Sequence, residues 1–438
     1  MYNLKPLFKY PGGKSREIKK INNFFPNNIS TYVEPFVGGG AVYWSIEAGH
    51  YVINDISKEL TGIYSLTAQN NPKFIYYMHQ IADAWRVKDE FSDEVEANLR
   101  CAVINNSDEA QIGTFIKDFP LYNTEEYINF FEDEFKRAFN RRRKSLIKIS
   151  LNNDLSNFDE NALGILGSTL YTLNRYIYNQ TDIEDNYELK VALFYFLREY
   201  AYSSMFRFNS DGAFNVPFGG NTYAKKPFIH RIDQIEDVEA INKLKDTDIY
   251  TVDFEKIIKG QDKEGSFIFL DPPYDTEFSS YNMDSFDRED QKRLARQLKS
   301  IHRAKWMLVI KNTEFIHDLY DDPTVFIRSF DKSYSVNFKN RNDKNAEHLI
   351  ITNYQTNTRK LSHWKRMPLL LMVLKNAGKL TTKAALSQLS TVTNKITRRK
   401  FTGHSLLMAN KLTFQLTKRN YTTKTKLFSN YQNITVND

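Results

Sequence analysis

The chain has 438 residues, 41% hydrophobic and 14% aromatic, with 60 Lys+Arg and 53 Asp+Glu for a formal net charge of +7. Residues 355–438 hold 16 of the basic residues and one acid, Asp438, a net +15, so residues 1–354 hold 44 basic and 52 acidic residues, a net −8. The composition excludes global disorder, and the split excludes reading the whole chain as a basic nucleic-acid binder on average charge alone.

The length suits two or three structural units. Met1 to Tyr10 lacks the apolar core of a signal peptide. Phe8-Lys9-Tyr10-Pro11-Gly12-Gly13-Lys14 is a basic, glycine-rich loop. It is either a surface turn or a contact for an anion or phosphate.

Residues 30–60 read as one βαβ unit. Thr31-Tyr32-Val33 is β-prone, Glu34-Pro35-Phe36-Val37-Gly38-Gly39-Gly40 is a glycine turn, Ala41 to Ala48 is helical, and Tyr51-Val52-Ile53 is a second strand. Glycines after a strand allow a close backbone approach to a ligand. Glu34 at the strand end can accept from an ammonium or hydroxyl. Asp55, just past the second strand, is placed to accept from ribose hydroxyls. The G-x-G-x-x-G spacing of dinucleotide enzymes is absent. The plain alternative is a tight turn that needs glycine.

Residues 62–245 read as a charged, helix-rich insertion. Its Cys101 is the chain's one cysteine, which excludes an internal disulfide framework and a multi-Cys zinc site. Asn123 to Ile149 predicts a long polar helix whose Arg141-Arg142-Arg143-Lys144 run suits a solvated face. Further on, Phe206-Arg207-Phe208-Asn209 and Phe214-Asn215-Val216-Pro217-Phe218, with Tyr223, interleave aromatics with Arg and Asn. Arg suits guanine edges, Asn suits adenine, and aromatics stack or wedge. The same stretch predicts a β-hairpin turning at Ser210-Asp211-Gly212.

A second α/β block spans about 247–354. Ser266 to Leu270 is an apolar strand suited to the middle of a parallel sheet. A helix over Arg288 to Ser300 and strands over Trp306 to Ile310 and His348 to Thr352 follow. Asp271-Pro272-Pro273-Tyr274 comes directly after the apolar strand. The prolines cannot continue a central strand, and they hold the backbone extended with its carbonyls available. An Asp carboxylate and a proline carbonyl can take both protons of an exocyclic amine, and Tyr274 offers a ring for stacking. That describes a site for an amino group on an aromatic heterocycle. The alternative is a proline-marked turn.

Residues 355–438 form a basic tail, with no acid between Leu349 and Asn437. It reads either as a DNA-binding extension, with Arg398, Arg399 and Lys400 on phosphates, or as an out-of-frame translation without a selected fold. Its apolar run Met367 to Leu374 is too short to span a bilayer. A cytoplasmic protein without a membrane partner is expected.

Together and in this order, the motifs over roughly 5–354 resemble the Dam-type DNA adenine-N6 methyltransferases. The resemblance implies an α/β fold: an S-adenosylmethionine-dependent, Rossmann-like methyltransferase sheet with an inserted, mostly helical target-recognition domain. Residues 1–61 and 246–354 would form the catalytic domain and 62–245 the insertion. It implies S-adenosylmethionine as cofactor, contacted by Tyr10, Lys14, Glu34, Pro35, Phe36, Gly38, Gly40, Asp55, Asp253, Phe254 and Asp271. It implies catalysis by Asp271, Pro272, Pro273 and Tyr274 on an adenine flipped from the duplex, with no metal. Lys9, Tyr202, Met205, Arg207, Asn209, Pro217 and Tyr223 would insert between or read bases in double-stranded DNA. One departure is Ser203-Ser204-Met205-Phe206, where such enzymes often carry Asn-Gly before the Arg. A GATC-like site and a cognate restriction endonuclease are candidate target and partner. The alternatives are an RNA adenine-N6 methyltransferase and a non-catalytic DNA-binding protein on the same scaffold. A protein-glutamine methyltransferase usually carries Asn where Asp271 stands.

Overall fold

The computed structural model describes residues 4–8, 14, 17–107, 110, 112, 115–150, 157–273, 286–333 and 345–356. The chain divides into the units Met1–Thr356 and Asn357–Asp438, and all described residues lie in the first. The readings of the basic tail fall outside the described residues.

The first unit is built on a seven-stranded sheet: β1 (Thr31–Glu34), β2 (His50–Asn54), β3 (Thr247–Tyr250), β4 (Ser266–Leu270), β5 (Lys305–Lys311), β6 (Phe326–Ser333) and β7 (Asn345–Thr352). Their order across the sheet is β3-β2-β1-β4-β5-β7-β6. The β3-β2-β1-β4-β5 run is parallel, and β7 lies antiparallel between β5 and β6. The mixed α/β architecture is the one the sequence pattern calls for. The strand order reverses between β1 and β4, which opens a crevice at their carboxyl ends.

Successive side chains on a strand point to opposite faces, and here both faces are buried. Tyr32, Tyr51, Ile53, Phe267, Phe269, Met307, Val309 and Ile350 enter one core. The intervening Val33, Val52, Ile268, Leu270, Trp306, Leu308, Ile310, Leu349 and Ile351 enter the other. That is why β4 is apolar at every position after Ser266. The second core is closed by helices Phe254–Gly260, Arg288–Lys299 and Glu314–Leu319. The first is closed by the helices between β2 and β3. Chief among these are Lys58–Ala68, Pro72–Val87, Ser92–Ile104, Glu125–Ser150, Phe158–Gln180 and Tyr187–Tyr200.

Most expected elements are found, with three departures. The helix after the glycine turn ends at Ser45, not Ala48, and Ile46 is extended. The Lys243 ammonium bonds the carbonyls of Tyr43 at 2.7 Å and Ile46 at 2.9 Å, and so satisfies the Tyr43 acceptor that a further turn would have used, together with the Ile46 carbonyl beyond the helix end. Strand β6 was not expected. Strand β7 begins at Asn345, earlier than His348, because it pairs with β6 along its full length. Among the described residues, no helix is long and apolar enough to cross a membrane.

Candidate active site

The parallel register gathers the candidate residues. Glu34 of β1 lies beside Ile53 of β2, and Asn54 lies beside Tyr250 of β3. Val33 lies beside Ile268, so the loops after β1 and β4 leave the sheet side by side. Glu34, Asp55, Asp253 and Asp271 therefore stand at the carboxyl ends of four neighbouring strands.

One side chain joins three of those ends. Asn54, 2% exposed, donates from Nδ2 to the carbonyls of Pro35 and Val252, both at 3.0 Å. Its Oδ1 accepts from the Val252 N–H at 3.0 Å. The Val37 N–H bonds the Asn54 carbonyl at 2.9 Å. Sequence reasoning took Asn54 only as the end of a strand. A buried Asn at such a place is the signal that could have shown its role, because a buried amide needs partners for both its ends.

The glycine turn needs glycine. Gly38 and Gly40 have φ of +47° and +65°, in the left-handed region. A Cβ at Gly40 would lie 2.8 Å from the Tyr64 hydroxyl, which donates to the Gly38 carbonyl at 2.8 Å. Asp55 holds the same turn. Its Oδ2 accepts from the Gly38 N–H at 3.0 Å and its Oδ1 from the Ser57 N–H at 3.2 Å. Burial raises the Asp55 carboxyl, while these bonds and the nearby Arg198 guanidinium pull it down.

Glu34 is buried. Its Oε2 accepts from the Tyr32 hydroxyl at 2.8 Å and the Tyr43 N–H at 3.1 Å. Loss of water pushes its carboxyl up to about 8, and Asp271 adds to the rise. Tyr32, Tyr43 and the Lys243 ammonium act the other way. An acid so raised is neutral at pH 7 until a cation comes near.

Lys14, also buried, reaches across the crevice to Asp271, with Nζ 2.5 Å from Oδ1. The side chains from the glycine-rich loop and from the Asp-Pro-Pro segment thus meet. Pro35 and Pro272 are buried, while Pro273 is exposed. Lys9, Tyr10 and Tyr274 lie outside the described residues. Leu7, just before that loop, is anchored: its carbonyl accepts from the Tyr195 hydroxyl and from Arg231 Nη1.

Phe36, Phe254 and Phe286 form an aromatic group beside the crevice, with ring centroids 5.3–5.6 Å apart. Asp253 caps the helix Phe254–Gly260 and pairs with Arg293 at 2.9 Å. Arg293 also bonds Glu255 and Asp290, and its guanidinium lies 5.0 Å over the Phe254 ring. Sequence reasoning missed this brace, which comes from a surface helix distant in the chain.

The aromatic stretch after helix Tyr187–Tyr200 is a hairpin. Phe208 bridges Phe214 and Ala201 bridges Phe218, both antiparallel. The Gly212 N–H bonds the Asn209 carbonyl at the turn. Phe206 and Phe214 stack with centroids 4.3 Å apart, which supports the turn from inside. Tyr202, Arg207, Asn209 and Pro217 are exposed, and Met205 and Tyr223 are half-buried. Arg207 bonds Asn215 Oδ1 at 3.2 Å. Ser203 and Ser204 have φ of +55° and +53°. Asn and Gly adopt that conformation most readily, so this chain holds it with residues that are strained there. The Arg141-to-Lys144 run is not uniformly solvated: Arg143 is buried and bonds Asn106 Oδ1 at 3.1 Å.

A family model described as D12 class N6 adenine-specific DNA methyltransferase matches residues 10–170 and 166–336. The chain is 25% identical over 358 residues to the Type II methyltransferase M.CviBI of Paramecium bursaria Chlorella virus NC1A, a match that covers 80% of this chain and 100% of that protein. It is 23% identical over 325 residues to a DNA adenine methylase of Haemophilus influenzae, covering 72% and 83%. Against a DNA adenine methylase of Escherichia coli K12 it is 21% identical over 311 residues, covering 70% and 80%.

Proposed function

Because the chain belongs to the D12 class of N6 adenine-specific DNA methyltransferases, we propose that it takes its methyl group from S-adenosylmethionine and modifies adenine within a short duplex site. The convergence of Glu34, Asp55, Asp253 and Asp271 on one crevice, with Lys14 bound to Asp271, carries this reading.

The residues present fit the cofactor. Glu34 at the strand end suits an ammonium, whose charge favours the ionised carboxylate that burial otherwise disfavours. Asp55 has carboxylate lone pairs beyond the two N–H bonds it accepts, which suits ribose hydroxyls. The Phe36–Phe254 pair suits a purine ring. The Gly38–Gly40 turn, Pro35, Asp253, Tyr10 and Lys14 complete the set. When bound, S-adenosylmethionine supplies an electrophilic methyl group. Asp271 and the Pro272 carbonyl would accept hydrogen bonds from the two N–H groups of the adenine amine, which would localise its lone pair and support the charge that develops on nitrogen until one of those protons is lost to solvent. Lys14 fixes the direction of the Asp271 carboxylate. Tyr274 stacks on the flipped base, with Pro273 shaping the turn.

The helical segment 62–245 acts as the target-recognition part, between the catalytic parts 1–61 and 246–354. Its hairpin presents Arg207 and Asn209 to base edges, while Lys9, Tyr202, Met205, Pro217 and Tyr223 contact or wedge the duplex. A GATC-like target, a restriction-modification setting with a cognate endonuclease, and a cytoplasmic location complete the proposal.

Transfer of labelled methyl from S-adenosylmethionine to duplex DNA tests the whole reading, and methylation-sensitive sequencing then reports the base and its context. Label appearing on RNA alone, or nowhere, would overturn it. Glu34 gives a second test. Its carboxyl sits at about 8 without ligand, so a cationic ligand must displace a proton below that pH. Affinity for S-adenosylmethionine is expected to weaken as pH falls below about 8. Calorimetry in buffers of different ionisation heat should show proton release, and Glu34→Gln should abolish it. A pH-independent affinity would remove Glu34 from the cofactor's contacts.

A further inference from the structure

Two prolines deprive the segment after β4 of N–H donors, so no strand ladder can fix its orientation. Carbonyls and side chains are the remaining handles. Lys14 holds the Asp271 side chain. A second handle comes from the opposite core. Gln291, in the first turns of helix Arg288–Lys299, donates from Nε2 to the Pro273 carbonyl at 2.9 Å.

Gln291 stands where an apolar residue is expected. Leu294, Ala295 and Leu298 share its helix face and are buried in the second core, and Gln291 itself is 0% exposed. Its Oε1 is buried without a hydrogen-bond partner. Exchanging the amide ends would set Oε1 against the Pro273 oxygen, so this orientation is the one the site allows. A half-satisfied buried amide is less stable than an apolar side chain of the same shape. The bond to Pro273 is what the position gains from it. The helix that carries it begins rigidly, with Asp287 and Asp290 forming a capping box.

We infer that Gln291 is a positioning residue for the Asp271–Pro273 segment: by turning the Pro273 carbonyl toward its helix, it sets the Pro272 carbonyl toward the crevice. Asp271 and Pro272 each precede a proline and are held extended. In such a chain successive carbonyls differ in direction by roughly 120° or more, so fixing one fixes its neighbour. The inference rests on the proposed role of Pro272 in accepting an amine hydrogen.

Gln291→Met is the test, because Met fills a similar volume without a donor or an acceptor. The single-turnover rate of methyl transfer should fall about tenfold, while Kd for S-adenosylmethionine and for duplex DNA stays within about twofold. The melting temperature should not fall, since the unsatisfied Oε1 is gone. Gln291→Leu removes the same bond with a different shape and should give the same loss of rate. An unchanged rate would overturn the inference. So would a rate loss matched by loss of melting temperature, or failure of both variants to fold; each would mark Gln291 as packing alone. Absence of methyl transfer in the unmodified chain would overturn the functional reading instead, before any variant is compared.

Discussion

Asp271→Ala is expected to lower methyl transfer by about a thousandfold while leaving S-adenosylmethionine binding measurable. The carboxylate stands at the end of β4, one strand from Glu34, and accepts from a buried ammonium. Its proposed task is to accept a hydrogen bond from one N–H of the target amine. Removing such a preorganised acceptor acts on the barrier more than on ground-state binding. The variant carries a second effect: Lys14 keeps its charge and loses this partner. Breaking this partly buried pair from one side leaves the Lys14 ammonium without the Asp271 carboxylate, so a lower melting temperature is expected as well. Asp271→Asn separates the two effects, because its amide oxygen can still accept from Lys14. It should restore most of the stability and little of the rate. Turnover near the unmodified level in either variant would sink the mechanism.

Asp55→Ala should weaken S-adenosylmethionine binding by about a hundredfold, equivalent to about 2.7 kcal/mol. Two contributions add. In the proposed site ribose hydroxyls would lose an acceptor, and a hydrogen bond to a carboxylate is worth about 1.5–3 kcal/mol. The Gly38 and Ser57 N–H groups also lose theirs, so the turn proposed to meet the cofactor should loosen. The rate at saturating cofactor should change far less than the affinity. Asp55→Asn, which keeps one acceptor oxygen, should fall between the two. A dissociation constant within about twofold of the unmodified chain would remove Asp55 from the site.

Much of this arrangement is legible in the chain. β1, β2, β4 and β5 are written as β-prone or apolar runs because both faces of a parallel sheet are buried. The loops that matter follow those runs directly, so their acids fall at one sheet edge. The family match agrees with the resemblance that the motifs suggest. What escaped notice depends on partners remote in sequence. Strand β6 mixes Arg, Asp and Lys with its apolar residues and lies at the sheet edge, where alternation is a weak signal. The early end of the helix after the glycine turn is set by Lys243, about two hundred residues away. Gln291 and Arg293 look like ordinary surface residues in a charged helix until the fold sets them against Pro273 and Asp253. The Ser203-Ser204 departure is visible in the chain, but the positive φ that it must hold is not.

The Asn54 clamp bears on how such a protein can diverge. At 21–25% identity to these relatives, roughly three matched positions in four differ. Yet Pro35, Asn54 and Val252 are joined by one amide, so the loops after β1, β2 and β3 are not free to drift separately. A change in the length of any of them has to be absorbed outside that joint. Inherited variation should therefore collect beyond the clamp, in the long helical segment between β2 and β3, the proposed target-recognition part, so that a lineage could change its target without disturbing the strand-end joint.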